Sequence, residues 1–372
     1  MKFLIITHVK HKLKEGHVFA YGPYVREMNI WLKYVDEIHI VAPKAKENTN
    51  AIDLVYEHES LSLKEIPSIE FTSLRKVLGA VLKIPLIIIT IFKACRKTDH
   101  IHLRCPGNIG LLGCLVQICF SKKIKTAKYA GNWDPKASQP LSYRFQKKLL
   151  ANTFLTKNMT ALIYGNWPNQ TKNIKSFFTA TYANDEKEPL KIRDYSKALK
   201  FLFVGSLVEG KRPLFAIKII EALYKTGREV ILDIYGEGSL KKDLQKYITD
   251  NNLELVIKLY GNKEKYLVKE AFKGAHFLIL PSKSEGWPKA IAEAMFFGTI
   301  PISTSISCVP YMLGFGERGI LIEPNLKAAI STIEQQLNRP KSFNFMSKNA
   351  VAWSQEYTLD TFENEIVKLL KT

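Results

Sequence analysis

The chain has 372 residues, 46% hydrophobic and 24% charged, with 54 Lys+Arg against 35 Asp+Glu and a formal net charge of +19. That length predicts two domains with ample cores, and the composition excludes a disordered or low-complexity chain. Five scattered cysteines with no metal-ligand spacing exclude a disulfide framework and predict a reducing cytosol.

Residues 2–7 (K-F-L-I-I-T) read as a first strand opening a βα unit, not as a leader peptide. The loop expected over residues 8–21 carries His8, His11 and His17, at a spacing that fits no metal site. A helix follows over 24–33 and a strand over 37–42, ended by Pro43. Residues 55–73 read as irregular. Residues 74–97 place Arg75, Lys76, Lys83, Lys93, Arg96 and Lys97 around an apolar run, 84–92, far too short to span a bilayer. Two readings stay open there: a buried crossover helix with basic ends, or a helix lying in a membrane interface with its cations reaching up to the headgroups.

Strand 99–104, turn 105–108, helix 109–120 and strand 125–130 set a βαβ rhythm, which predicts a doubly wound parallel sheet. Ligands of such sheets bind beyond the C-terminal strand ends, where the loops 104–108 and 131–135 (G-N-W-D-P) fall. Asp134 is the one acid among twelve basic residues between Ile101 and Asn184. It reads either as a base toward a hydroxyl or as a turn cap. A basic amphipathic helix is expected over 143–154 and a strand over 160–164, with the turn 165–168 leading into another helix. The polar stretch 184–196, containing Pro189, is the linker candidate. This divides the chain into a domain over 1–184, a linker over 185–198 and a second domain over 199–353.

The second domain opens with strand 200–205, the loop S-L-V-E-G-K-R-P over 206–213 and a helix from Pro213. Strand 229–235 turns through Gly236-Glu237-Gly238 into helix 239–249. That lone G-x-G lacks the third glycine of a dinucleotide fingerprint. Strand 256–260 leads to Gly261-Asn262-Lys263. Strand 276–280 then enters P-S-K-S-E-G-W-P-K-A-I-A-E-A-M-F-F-G, residues 281–298. Pro288 is expected as the first helical residue and Gly298 as the stop. Glu285 lies in the turn and Glu293 in the helix. A helix N-terminus favours an anion, and carboxylates accept bonds from hydroxyls, so the unit suits a ligand bearing phosphates and many hydroxyls. Strands 299–303 and 319–322 and helices 326–337 and 358–370 complete the chain.

Residues 281–298 resemble the E-x7-E motif of the family-4 retaining glycosyltransferases, and the resemblance runs over roughly 199–324. It implies the GT-B fold: two α/β, Rossmann-like domains with doubly wound parallel sheets facing across a cleft, with the last helix, about 354–372, packed back on the first domain. It implies that Glu285 holds the transferred sugar and Glu293 the ribose of a nucleotide-sugar donor, with Gly286, Trp287, Pro288 and Lys289 facing sugar and pyrophosphate. The loop after strand 200–205 is similar to the family's G-R-L-x-x-x-K loop, which grips the diphosphate. Gly205 and Lys211 match it, Ser206 replaces the Arg, and Arg212 is the candidate second cation. Gly236, Gly261 and Asn262 belong to the same donor face. On the acceptor side the candidates are His17, Tyr21, Tyr24, Arg104 and Asn132. Asn132 and Asp134 stand where many members have a histidine, so the catalytic candidates are Asp134, Glu285 and Lys211.

The charge is lopsided: residues 1–200 hold 32 Lys/Arg against 16 Asp/Glu, and residues 201–372 hold 22 against 19. A basic first half attracts polyanions, here an anionic membrane surface or a lipid-linked pyrophosphate. The expected function is a hexosyltransferase-type retaining enzyme. It moves a sugar from a nucleotide-diphosphate sugar to a saccharide acceptor, lipid-linked, in bacterial surface polysaccharide assembly. The expected setting is cytoplasmic, against the inner face of the plasma membrane. No cofactor is expected, and no obligatory metal, since no D-x-D motif occurs. The alternatives are a GT-B sugar-nucleotide epimerase or phosphorylase, a non-catalytic sugar-nucleotide-binding protein, and a basic nucleic-acid-binding protein. Against the last, no helix-turn-helix or RRM signature is present.

Overall fold

The computed structural model describes residues 1–45, 47, 49, 52–69 and 74–371, with the backbone alone for 74–78. The chain divides into two compact units: Met1–Phe178 with the end of the chain from Phe362, and Thr179–Thr361.

The first unit runs β1 (Lys2–Ile6), β2 (Lys12–Lys14), β3 (His17–Tyr21), α1 (Gly22–Leu32), β4 (Glu37–Pro43), β5 (Asp53–Val55), β6 (Leu61–Ile66), α2 (Leu74–Lys97), β7 (His100–Cys105), α3 (Asn108–Val116), β8 (Ile124–Tyr129), α4 (Leu141–Leu150), β9 (Met159–Tyr164) and β10 (Ile174–Phe177). Seven strands form one parallel sheet in the order β10-β9-β8-β7-β1-β4-β6. Phe3, Leu4, Ile5 and Ile6 are all fully buried, as a central strand covered by helices on both faces requires. The chain winds outward from β1 in one direction and from β7 in the other, so the switch point lies between these two.

Three expectations for this unit change. Residues 8–21 are not an open loop: β2 and β3 pair antiparallel, and β5 joins them in a small separate sheet. Alternation is the cause, with Val18 and Ala20 buried while His17 and Tyr21 are exposed. The stretch read as irregular contains β6, parallel to β4, while residues 70–73 lie outside the described residues. The turn at 165–168 leads to β10, not to a helix. As for α2, it is one helix of 24 residues with Pro85 inside it, and its Ile87, Ile91 and Cys95 are buried in the core.

The second unit runs β11 (Leu199–Val204), α5 (Pro213–Lys225), β12 (Val230–Tyr235), α6 (Lys241–Asp250), β13 (Ile257–Gly261), α7 (Lys265–Gly274), β14 (Phe277–Leu280), α8 (Lys289–Phe296), β15 (Ile300–Thr304), α9 (Val309–Met312), β16 (Ile320–Ile322), α10 (Leu326–Leu337) and α11 (Lys341–Ser354). Its six strands are parallel in the order β13-β12-β11-β14-β15-β16, with the switch point between β11 and β14. Pro213 opens α5, where its missing N–H costs nothing. Pro288 is the N-cap of α8 and Lys289 its first residue, one position later than expected. Neither α7 nor α11 was anticipated from the sequence.

Residues 185–198 belong to the second unit. The Arg193 guanidinium donates to the carbonyls of Gly298 at 2.6 Å, Phe297 at 2.8 Å and Lys273 at 3.2 Å, which closes the C-terminal ends of α7 and α8. The last helix, α12 (Leu359–Lys371), returns to the first unit. Phe362 packs against Phe177 and Phe178 with ring centroids 5.4 and 5.7 Å apart, and Glu365 pairs with Lys175 at 2.6 Å.

Candidate functional site

In the second unit the chain leaves β11 through residues 205–212 and leaves β14 through 281–288. Because β11 and β14 are sheet neighbours that turn in opposite directions, these two loops meet. The Lys283 N–H donates to the Gly210 carbonyl at 2.8 Å. Above that bond the Lys211 ammonium reaches Glu285 Oε1 at 2.5 Å. The Glu285 side chain is 8% exposed and Lys211 28%, so a nearly buried carboxylate is neutralised by a lysine that still reaches solvent. The Glu285 N–H donates to the Ser307 hydroxyl at 3.1 Å, and the Cys308 thiol to the Gly286 carbonyl at 2.9 Å. Trp287 is buried against Trp353 and Tyr357, with centroids at 6.0 and 5.6 Å. The turn that expectation placed under a sugar is therefore held from behind by side chains of later elements.

Pro288 and Lys289 sit where the free first-turn N–H groups of α8 emerge, an electropositive end beside the Lys211–Glu285 pair. Arg212 has a left-handed backbone, φ 52°, and its guanidinium lies 6.0 Å from the Phe215 ring. Ser206 is exposed one position after Gly205. The remaining donor candidates form one stack of loops. The Gly205 N–H donates to the Tyr235 carbonyl at 3.0 Å, Leu207 to Glu237 at 2.9 Å and Gly236 to Gly261 at 2.9 Å. Cβ atoms at Gly236 and Gly238 would collide with the carbonyls of Gly205 and Leu207, so the G-x-G serves close backbone approach between loops. Asn262 is exposed beside this stack.

Glu293 is half-buried on α8, and its Oε1 accepts the Thr181 hydroxyl at 2.7 Å. Burial raises its carboxyl above the usual range, opposed by that hydrogen bond and by Lys289 and Lys265. Thr181 lies outside the motif, and nothing in the E-x7-E spacing pointed to it.

At the switch point of the first unit the polar groups are arranged differently. Arg104, at the end of β7, pairs with Glu27 at 3.3 Å and lies 5.3 Å from the Tyr24 ring. Tyr24 is only 3% exposed, so its expected role in touching an acceptor gives way to support beneath Arg104. His17 and Tyr21 are exposed on β3, in the small antiparallel sheet rather than in a loop. The residue that sequence reading passed over is His8. It directly follows Thr7 beyond the C-terminal end of β1, is exposed, and lies so close to Gly107 that a Cβ there would stand 2.9 Å from its Nδ1. Protein packed around its ring and the Arg104 charge nearby favour its neutral form. The one signal available was its place directly after the first strand.

Asn132 and Asp134 fold their loop upon itself. Asn132 Oδ1 accepts the Asp134 N–H at 2.9 Å, and Asp134 Oδ1 accepts the Lys136 N–H at 2.8 Å. Of the two readings of Asp134, the turn cap is present in this geometry.

Residues 184–353 match the family described as Glycosyl transferases group 1. The amylovoran biosynthesis glycosyltransferase AmsK of Erwinia amylovora is 31% identical over 161 residues, 41% of this chain and 40% of its own length. A UDP-Gal:alpha-D-GlcNAc-diphosphoundecaprenol alpha-1,3-galactosyltransferase of Escherichia coli is 29% identical over 180 residues, 48% of this chain and 46% of its own. The chain thus spans less than half the length of these curated relatives. Among solved structures, Anabaena HepE in complex with UDP superposes with a TM-score of 0.67 at 14% identity, over 100% of this chain and 99% of that one. The likeness shows the fold, two Rossmann-like units of the GT-B class. With residues 184–353 matched and the motif loops brought together at the second switch point, it is the second unit that carries the similarity to the glycosyl transferases group 1 family.

Proposed function

We infer that the chain is a retaining glycosyltransferase that binds a nucleotide-diphosphate sugar on its second unit and transfers the sugar to a saccharide acceptor on its first. The observation that carries the reading is the Lys211–Glu285 pair beside the N-terminus of α8. A diphosphate arriving there exchanges one anionic partner of Lys211 for another and frees Glu285 to accept bonds from sugar hydroxyls. Lys211, Arg212 and the α8 N-terminus then meet the charge that develops on the leaving nucleoside diphosphate, and the reading assigns this task to them and not to a metal ion. Glu293 is assigned to the ribose. His8 and Arg104 are the acceptor-side groups best placed by the first sheet.

UDP is the first nucleotide to try, because solved neighbours bind UDP, and a lipid-linked saccharide is the first acceptor, because one relative's name specifies a diphosphoundecaprenol. A lipid-linked acceptor in surface polysaccharide assembly also agrees with the basic first half of the chain. The test is thermal shift with UDP-, GDP-, ADP- and CMP-sugars on wild type and Glu293→Ala. Selective stabilisation by one nucleotide family, lost in the variant, is expected. A folded wild type that responds to none of them overturns the donor-site reading.

A further inference from the structure

We propose that the outer face of α2, with the trough between α2 and the edge strand β6, is a docking surface for an anionic lipid bilayer. A helix at a protein surface ordinarily turns a polar side to water. Here Ile87, Ile91 and Cys95 are buried, yet the opposite side is apolar too: Leu82 is 78% exposed, Leu86 57% and Ile89 51%, with Val81 and Phe92 beside them. These positions recur at helical spacing on one side, so they form one patch and not scattered apolar residues.

The surroundings give the occupant's chemistry. No Asp or Glu occurs from residue 71 to residue 98. Lys83, Lys93, Arg96 and Lys97 are exposed around the apolar patch. Beside it, α2 leaves one face of β6 uncovered, opening a trough of about 670 Å³ whose walls include Leu86, Ile89 and Ile66, with Lys64, Lys93 and Lys97 at its margin. Glu65, the acid at that margin, is paired with Lys44 at 3.0 Å. An apolar patch ringed by cations fits a layer that is apolar inside and anionic at its surface. A second copy of this face would set lysine against lysine, which disfavours a symmetric dimer. No helix among the described residues is long and apolar enough to cross a membrane, so the contact is one of lying on the surface.

The experiment is co-sedimentation with vesicles of phosphatidylcholine alone and of phosphatidylcholine with phosphatidylglycerol, at low and high salt, for the full chain. Wild type is expected to bind the anionic vesicles, more weakly at high salt. The triple change Leu82→Gln, Leu86→Gln and Ile89→Gln is expected to weaken binding roughly tenfold or more, as is Lys93→Glu with Lys97→Glu. All five positions are exposed, and an unchanged unfolding temperature confirms that the core is intact. The proposal fails if wild type binds neither vesicle, if the triple variant binds as wild type does, or if the patch instead drives self-association in sedimentation velocity without vesicle binding. Vesicle binding requires neither donor nor acceptor, so its failure leaves the sugar-transfer reading untouched, and the reverse holds as well.

Discussion

Two parallel sheets of the same winding end in two differently built sets of loops. In the second unit the loops after β11, β12, β13 and β14 are joined by main-chain bonds, such as Gly205 N–H to Tyr235 and Gly236 N–H to Gly261, with Lys211 and Glu285 as the charged pair on top. In the first unit the loop after β8 is closed by its own side chains, Asn132 and Asp134, and the cations Arg104 and Lys128 point inward. Lys128 is fully buried, donating to the Phe178 carbonyl at 2.8 Å and lying 4.4 Å from the Phe177 ring. The lesson is where charge does its work. One edge keeps an ion pair whose lysine still reaches solvent, and the other uses much of its charge to hold the fold.

The sharpest test of that contrast is Lys211→Met. Losing a charge-assisted bond to a diphosphate removes about 1.5–3 kcal/mol, roughly a 10- to 100-fold loss of donor affinity. The Glu285 carboxylate is left nearly buried without its cation, so stability also falls, by about 1–3 kcal/mol. Adding Glu285→Gln restores the unfolding temperature but not the affinity. Calorimetric titration and thermal unfolding of wild type and these two variants separate the two effects. If the double variant recovers donor binding, the pair is structural, and the two edges do not differ as described.

A smaller effect concerns the cations of the first unit. Lys125 is 1% exposed on β8, and burial lowers its pKa to about 8 from 10.5. The folded chain therefore sheds this proton before the unfolded chain does. The charged lysine disfavours the native state at neutral pH, and stability rises as pH climbs from about 8 through the unfolded value. Lys125→Met is expected to flatten this rise in a series of unfolding temperatures against pH. An equal slope in wild type and variant would remove Lys125 as its source.

The smallest expected change is at Asp134. An amide oxygen can still accept the Lys136 N–H, so Asp134→Asn should keep the unfolding temperature and change turnover by less than roughly threefold, since a positioned base contributes about 100-fold or more. A fall of that larger size with folding intact would make the carboxylate the base and turn the first unit's loop into part of the chemistry.

Much of the second unit was legible in its residues. The apolar strand runs and Pro213 and Pro288 at helix entries announce their roles locally, because a parallel strand and a helix start each demand particular residue types; the close backbone approach that Gly236 and Gly238 serve showed only in the fold. The Glu285–Glu293 pair was singled out by its resemblance to the E-x7-E motif and not by its spacing alone. What the chain alone left hidden depends on partners distant in sequence. The strand β6 needs β4 beside it, and the hairpin β2–β3 is completed by β5. Arg193 in a polar stretch becomes a brace only when the ends of α7 and α8 converge on it. Thr181 meets Glu293 across 112 residues, and Lys211 meets Glu285 across 74. Residue identity sets what each group can do, but sheet order decides which groups stand within bonding distance. The outward face of α2 makes the same point: its apolarity is written in the sequence, and only the packed core shows which half of it remains uncovered.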